Sequence, residues 1–134
     1  MRAFFGTDRQ APLVSLSENG KILGTERGEK GDDPLAVFDR ALRAAQRKTE
    51  GLREIAVDRG PDGFSTVRRR IAAAMSLASA LRLPVAAVEG LGAEEAAKLP
   101  GSAFALGAAV LPAYDRAPNI TEPKKKSPKQ EGKV

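Results

Sequence analysis

Three carboxylates are the residues of this sequence with the clearest potential for chemistry. Asp8, Asp58 and Asp62 offer oxygen ligands of the kind that Mg²⁺ prefers, as a nucleotide-binding enzyme would need. Their separations along the chain match no recognised metal motif. Solvated surface carboxylates are therefore the simpler interpretation, and we predict no metal site.

The segment 59–66, RGPDGFST, could hold a phosphate, because it joins a predicted strand to the N-terminus of a predicted helix. Free backbone N–H groups at such an end attract anions. The segment lacks the Gly-x-x-x-x-Gly-Lys-Ser/Thr spacing of a phosphate-binding loop. Asp62 would also repel an anion, so phosphate binding is the less favoured interpretation.

The chain has no His and no Cys among its 134 residues. The usual general base, the usual pH-sensitive group, thiolate nucleophiles and Cys-based metal sites are thereby excluded. An enzyme could still use carboxylates or Lys. We predict no catalytic residue and no cofactor.

Basic residues suggest a second alternative, a small RNA-binding module that uses Arg68, Arg69, Arg70 and the Lys-rich tail. Of the net charge of +5, residues 116–134 contribute +4, because they hold six Lys or Arg and two Glu. The remaining body is nearly neutral, so the high pI says little about a nucleic-acid-binding face on the fold. The tail cations that could contact RNA are Lys124, Lys125, Lys126 and Lys129, four of these six.

Periodicity predicts an α/β fold in which an antiparallel meander precedes parallel strands and helices pack on a mixed five-stranded sheet. Asn19-Gly20 is a strong hairpin signal, and Asp33-Pro34 is a strong helix start. Strands are predicted at 2–6, 12–17, 21–25, 52–57 and 85–88. Helices are predicted from residue 34, over 65–81 and over 93–99, while 102–111 is ambiguous between helix and strand.

The predicted second helix has an unusual outer face, which holds mostly small residues instead of Glu, Lys and Gln. Small residues allow another helix to approach closely, in this chain or in a partner, although Ala is also simply a good helix former. A second apolar strip on the first helix favours a shared interface. The predicted interface consists of Val37, Ala41, Ala44, Arg69, Ala73, Ser76 and Ala80.

Residues 55–91, IAVDRGPDGFSTVRRRIAAAMSLASALRLPVAAVEGL, resemble the signature of the TsaB (YeaZ) family. In that family a strand runs into Gly-Pro-Gly-Ser-Phe-Thr-Gly-Leu-Arg, followed by an Ala/Gly-rich helix and another strand. Residues 111–126 are similar to the family's closing segment. Thr7-Asp8-Arg9 replaces the family's opening Asp-Thr-Ser turn. The residues that match the signature loop are Gly60, Pro61, Phe64 and Arg68.

The resemblance implies a single lobe of the actin-like or ribonuclease-H-like type, in a shortened member that lacks most of the second lobe. It also implies a role as a non-catalytic scaffold in the synthesis of threonylcarbamoyladenosine beside the tRNA anticodon. The implied partners are a TsaD-like catalytic subunit, a TsaE-like ATPase reached through the complex, and tRNA indirectly. A homodimer through the same helices is expected when the partner is absent, and an actin-like nucleotide-binding enzyme stays the alternative.

The chain is expected to divide into a first lobe over residues 1–100, a segment over 101–115 that packs back on it, and a basic flexible tail over 116–134. The apolar residues Phe104, Ala105, Leu106, Val110 and Leu111 are expected to be buried against the lobe, with Tyr114 as an anchor. No apolar run reaches the length of a signal peptide or a membrane span, which predicts a cytoplasmic protein without a membrane partner.

Overall fold

A computed structural model describes residues 1–113. Five strands form one sheet in the order β3-β2-β1-β4-β5. The first three strands pair antiparallel, whereas β4 pairs parallel with β1 and β5 pairs parallel with β4. The strands are β1 (Arg2–Asp8), β2 (Ala11–Glu18), β3 (Lys21–Arg27), β4 (Glu54–Asp58) and β5 (Val85–Val88). The predicted mixed sheet, with a meander followed by parallel strands, is confirmed.

Three helices cover the sheet: α1 (Pro34–Ala44), α2 (Phe64–Leu81) and α3 (Ala93–Ala97). The N-terminus of α1 follows from its sequence, because the Asp33 carboxylate accepts the N–H of Leu35 at 3.0 Å and Pro34 occupies the first helical position. None of the helices in the described part of the chain is both long and apolar enough to span a membrane.

The hairpin between β2 and β3 forms as its sequence predicts. Asn19 and Gly20 have φ values of 53° and 79°. A two-residue turn with positive φ at both positions matches the twist of the flanking strands, and Asn and Gly tolerate that conformation best. This turn fixes the register of the meander.

Alternation along the central strands divides the core between the two faces of the sheet. Phe5 faces the layer formed by α1 and α2, while its neighbour Phe4 faces the opposite side. There Phe4 packs with Ala56 and Ala86 of the sheet, with Ala96 of α3 and with Phe104. The two long helices therefore share one face, and α3 and the chain beyond it occupy the other.

Residues 102–111 are neither helix nor strand beyond the short 3-10 turn Gly101–Ala103. Phe104 is buried, Ala105 makes an isolated antiparallel bridge with Val85, and Val110 packs against the core. Ala105, Leu106 and Leu111 are exposed, the two leucines to 70% each, so the expectation that these three are buried is wrong. This irregular segment packs against the lobe with only one side, so the side chains on its other side point to water. Tyr114 and the basic tail lie outside the described residues.

Candidate functional site

The loop between β4 and α2 is built around the buried carboxylate of Asp58. Asp58 ends β4 and is 8% exposed. Its Oδ1 accepts the backbone N–H of Gly60 at 3.0 Å, which turns the chain sharply after the strand. Burial raises the pKa of Asp58, an effect only partly offset by that hydrogen bond and by the charge of Arg70.

Arg70 locks the strand end, the loop and the helix together. It is 2% exposed, its Nε donates to the Asp58 carbonyl at 2.6 Å, and its Nη2 pairs with Asp62 Oδ2 at 2.8 Å. The RNA-binding alternative needs Arg70 on the surface with Arg68 and Arg69, and the burial of Arg70 contradicts it on this point. The helical period could have located it, because position 70 lies on the same helix face as the buried residues Val67 and Ala74.

A second set of contacts, made by Arg59, holds the chain after α3 against the same loop. Arg59 donates from Nε to the carbonyl of Leu111 at 2.6 Å and pairs through Nη1 with Glu89. The N–H of Ala113 donates to the Arg59 carbonyl at 2.7 Å. Residues 111–113 therefore lie directly over the start of the loop.

The four signature residues fall on this loop and on the first two turns of α2. Gly60 has φ of +118° and precedes Pro61 through a cis peptide bond. Phe64 is the first residue of α2, and Arg68 is exposed one turn later. Of the four, Gly60 is the one whose residue type is dictated by the described contacts, because no other residue fits its backbone and its neighbours.

The three acids considered as magnesium ligands are engaged in separate contacts. Asp8 pairs with Arg27, Asp62 pairs with Arg70, and Asp58 accepts the Gly60 N–H. Among residues 1–113, no group of three His, Cys, Asp or Glu side chains is arranged to hold a metal ion.

The predicted interface divides into buried and exposed residues, which corrects its extent. Val37, Ala41 and Ala73 are 0%, 3% and 6% exposed and belong to the chain's own core. Small residues here let α1, α2 and the sheet approach one another within this chain, so a partner cannot touch these three. The exposed members are Ala44, Arg69, Ser76 and Ala80.

The three arginines of the RNA-binding alternative are likewise divided between buried and exposed positions. Arg70 is buried and occupied by Asp58 and Asp62, whereas Arg68 and Arg69 are exposed. Arg69 donates to the carbonyl of Gly31 at 2.8 Å. Arg70 therefore cannot share a surface patch with Arg68 and Arg69.

Two solved structures share this architecture. One is YeaZ from Pseudomonas aeruginosa, with a TM-score of 0.60 and 23% sequence identity over 89% of this chain and 72% of that one. The other is an uncharacterized protein with similarity to peptidase YeaZ from Pseudomonas aeruginosa, with a TM-score of 0.60 and 22% identity over 90% of this chain and 70% of that one. The chain has a YeaZ-like fold.

Comparisons by sequence alone give no further assignment. No protein-family profile matches the chain, and no curated protein matches it. At these identities the solved structures establish the fold, in agreement with the resemblance of residues 55–91 to the TsaB (YeaZ) signature.

Proposed function

We propose that this chain is a non-catalytic scaffold subunit of a threonylcarbamoyladenosine-synthesising complex that acts on tRNA. Its partner would be a TsaD-like catalytic subunit, which docks on the outer face of α2 and the end of α1. A TsaE-like ATPase and tRNA would be reached through that complex. The YeaZ-like fold and the signature in residues 55–91 support this proposal.

The observation that carries the proposal is the uncharged outer surface of α2. From Ile71 to Leu81 the helix has no charged residue, although five of its side chains are exposed to solvent. A helix of a free monomer normally carries charges on such a face. The exposed residues are Ala72, Ser76, Ser79, Ala80 and Leu81.

This face continues into an apolar groove at the C-terminal end of α2. The groove has a volume of about 350 Å³ and is lined by Met75, Leu83 and the exposed Leu106, among others. A contiguous apolar surface on a small protein marks a site of protein association. Without the catalytic subunit, we propose that two copies of the chain cover this surface by forming a homodimer.

Arginine substitutions test the interface. Ser76→Arg and Ala80→Arg each place a large cation on the proposed contact, where its burial without a partner would cost several kcal/mol. Both positions are exposed, so the isolated fold should tolerate the change. Ala73→Arg is unsuitable, because Ala73 is 6% exposed and its replacement would disrupt the chain itself.

Ala103→Arg is the matched control, since Ala103 is exposed beside the opposite face of the sheet. Wild type and Ala103→Arg are expected to co-elute with the TsaD-like subunit in size-exclusion chromatography with light scattering. Ser76→Arg and Ala80→Arg are expected to elute separately from it. Retention of wild-type affinity by both interface variants would place the contact elsewhere.

We also propose that the chain performs no chemistry by itself. The sequence has no His or Cys, and its Asp58 and Asp62 side chains are occupied by structural contacts. The purified chain is expected to release no phosphate from ATP above the buffer background. Sustained turnover that disappears in Asp58→Asn would contradict this part of the proposal.

A further inference from the structure

A cavity of about 560 Å³ opens at the end of the sheet where β1 and β4 begin and where β2 turns into β3. The end of α3 forms its other side through residues 97–99. The volume falls in the range of roughly 300–1,000 Å³ that is usual for sites of small molecules. The side chains of its lining that carry the argument are Arg2, Ser17, Asn19, Arg53, Glu54 and Lys98.

Three neighbouring strands place Ser17, Arg2 and Glu54 in one row along the wall of this cavity. Arg2 of β1 lies opposite Ser17 of β2 and opposite Glu54 of β4. Residues that lie opposite each other in a sheet project from the same face. Because adjacent strands are about 4.8 Å apart, the backbones of Ser17 and Glu54 stand about 10 Å apart on either side of Arg2. A sugar ring that makes a hydrogen bond at each end fits a gap of this size.

The Ser17 hydroxyl is a hydrogen-bonding group that the protein leaves unused. The residue is 3% exposed and lines the cavity, and its hydroxyl has no partner among residues 1–113. In that part of the chain, Arg70 Nη1 is the only fully buried side-chain polar atom without a partner. The Ser17 hydroxyl is therefore open to the cavity. Such deeply placed polar groups nearly always have a partner, and a molecule bound in the cavity would provide it.

Glu54 supplies an acceptor whose position is fixed. Arg2 contacts Glu54 Oε2 from Nε at 2.7 Å and from Nη2 at 2.6 Å. Arg2 also donates from Nη1 to the carbonyls of Ala96 and Ala97 at the end of α3. A carboxylate has about four acceptor positions on its two oxygens, so Oε1 can still accept from hydroxyl groups. Hydrogen bonds to such a charged acceptor are stronger than those between neutral groups.

The charges of the lining favour a neutral ligand over an ion. Glu54 is paired with Arg2, and Glu18 is paired with Arg47 at 2.9 Å. An anion in the cavity would meet the two carboxylates, and a cation would meet the Arg2 guanidinium. Two further cations of the lining are exposed to water: Arg53 and Lys98. Neutral hydroxyl groups can both donate to the carboxylate and accept from these cations.

We propose that this cavity binds a neutral sugar ring that carries two adjacent hydroxyl groups. The two hydroxyls donate to the Glu54 carboxylate, and another oxygen of the sugar accepts from the Ser17 hydroxyl. Asn19, in the turn between β2 and β3, offers its amide at the rim. The same chemistry occurs in a simple sugar and in the ribose of a nucleoside. The proposal is independent of the scaffold role, because no residue of α2 lines this cavity.

Methyl β-D-ribofuranoside, a neutral glycoside with adjacent hydroxyls, is the probe and is titrated into the full chain. Amide chemical shifts in two-dimensional NMR are expected to saturate, with the largest changes at Ser17, Asn19 and Lys98. The affinity is expected to be the same at low and high salt, because the ligand is uncharged. The 2-deoxy glycoside lacks the adjacent pair of hydroxyls and is expected to bind about tenfold more weakly.

Uridine, titrated in parallel, distinguishes the two sources of the sugar. Tighter binding of uridine than of the glycoside, with 2′-deoxyuridine again weaker, identifies the ribose of a nucleoside as the ligand. Binding of uridine that is equal to or weaker than that of the glycoside identifies a simple sugar.

Ser17→Ala tests the hydroxyl without disturbing the fold. It is expected to weaken glycoside binding roughly threefold to tenfold, as for the loss of one hydrogen bond. The melting temperature should stay unchanged or rise, because the hydroxyl has no partner among the described residues. Ser15→Ala is the matched control: Ser15 is 2% exposed and lies on the same face of β2, but it does not line the cavity.

Two more variants test the other groups. Asn19→Gly removes the amide but keeps the turn, because Gly adopts the positive φ of 53° found there. It is expected to weaken binding by a similar factor. Glu54→Gln replaces an acceptor oxygen by a donor and is expected to weaken binding tenfold or more. Thermal melting shows whether this change also disturbs Arg2, a contact that Ser17→Ala and Asn19→Gly leave in place.

Three results would overturn the proposal. One is a response to the glycoside that does not saturate. Another is equal affinity for the glycoside and its 2-deoxy counterpart, or equal affinity of Ser17→Ala and wild type for the glycoside. The third is a stronger response of the same amides to acetate or phosphate with a steep dependence on salt, which would identify an ion site instead.

Discussion

The carbonyl oxygen of Ala113 occupies the space beside Gly60 where any other residue would carry its Cβ atom. An ideal Cβ built on Gly60 would stand 1.8 Å from that oxygen, and the φ of Gly60 is +118°. At Gly60 the backbone is left-handed, and the backbone of Ala113 also approaches it closely. The signature loop and the chain after α3 can therefore meet only through a glycine.

Gly60→Ala is accordingly expected to destabilise the fold by roughly 2–4 kcal/mol, because the new methyl group meets a backbone atom and the φ is strained. Gly24→Ala is the control, since a Cβ on Gly24 would meet nothing within 4 Å. Urea unfolding monitored by circular dichroism measures both. Equal stability of the two variants would mean that residues 111–113 do not lie over the loop.

Arg2 joins the first strand to the chain beyond α2 and predicts a second stability effect. It pairs with Glu54 at 2.6 Å, donates to the carbonyls of Ala96 and Ala97, and stacks 4.4 Å from the ring centre of Phe104. Arg2→Met is expected to cost about 2–3 kcal/mol, because Glu54 and the carbonyls at the end of α3 lose a largely buried partner.

Arg27→Met is the matched control for Arg2→Met. Its ion pair with Asp8 is exposed, with 59% of the Arg27 side chain accessible, and such pairs contribute less than about 1 kcal/mol. Thermal melts of both variants at low and high salt give the comparison. A larger loss in Arg27→Met than in Arg2→Met would contradict the structural account.

Phe104 and Leu106 differ in burial although only one residue separates them. Phe104 is 9% exposed and packs against Phe4, whereas Leu106 is 70% exposed. Phe104→Ala is expected to cost about 3 kcal/mol or more through the cavity it leaves, and Leu106→Ala less than about 0.5 kcal/mol. Differential scanning calorimetry of the two variants tests whether the segment after α3 belongs to the core; similar melting temperatures would exclude that.

Asp58 predicts a pH dependence of stability with a defined sign. Burial raises its folded pKa above the ordinary 3.8, so the native state holds the proton more tightly than the unfolded chain. The stability that Asp58 contributes through this shift is fully present below the ordinary pKa and is lost as pH rises through the folded pKa. Asp58→Asn does not titrate, so its free energy of unfolding relative to wild type should increase with pH across this window.

Glu18 provides the control of opposite sign. Arg47 lowers the pKa of Glu18 from the ordinary 4.5 through a hydrogen bond and its charge. That contribution is present above the ordinary value and is lost as pH falls through the folded pKa. Glu18→Gln should therefore lose stability relative to wild type as pH rises. Urea unfolding at a series of pH values measures both variants. If their free energies of unfolding relative to wild type changed with pH in the same direction, the burial of Asp58 would be refuted.

Local signals in the sequence determined most of the secondary structure. Asn19-Gly20 specifies its turn and Asp33-Pro34 specifies its helix start, because both act through contacts within a few residues. Alternation over residues 12–17 likewise predicted β2, and the order of strand and helix signals along the chain predicted a mixed sheet covered by helices. The period of a strand or helix is a property of the local chain.

Tertiary structure alone decided the role of residues whose neighbours are distant in sequence. Whether Ala73 faces a partner or its own core depends on where α1 and the sheet lie, and Leu106 is exposed because the segment after α3 has only one side against the lobe. Arg70 is the clearest case: its contacts to Asp58 and Asp62 depend on the path of the loop between β4 and α2. Helical periodicity indicates that position 70 is buried, but it does not show which partners a loop assembles around the buried charge.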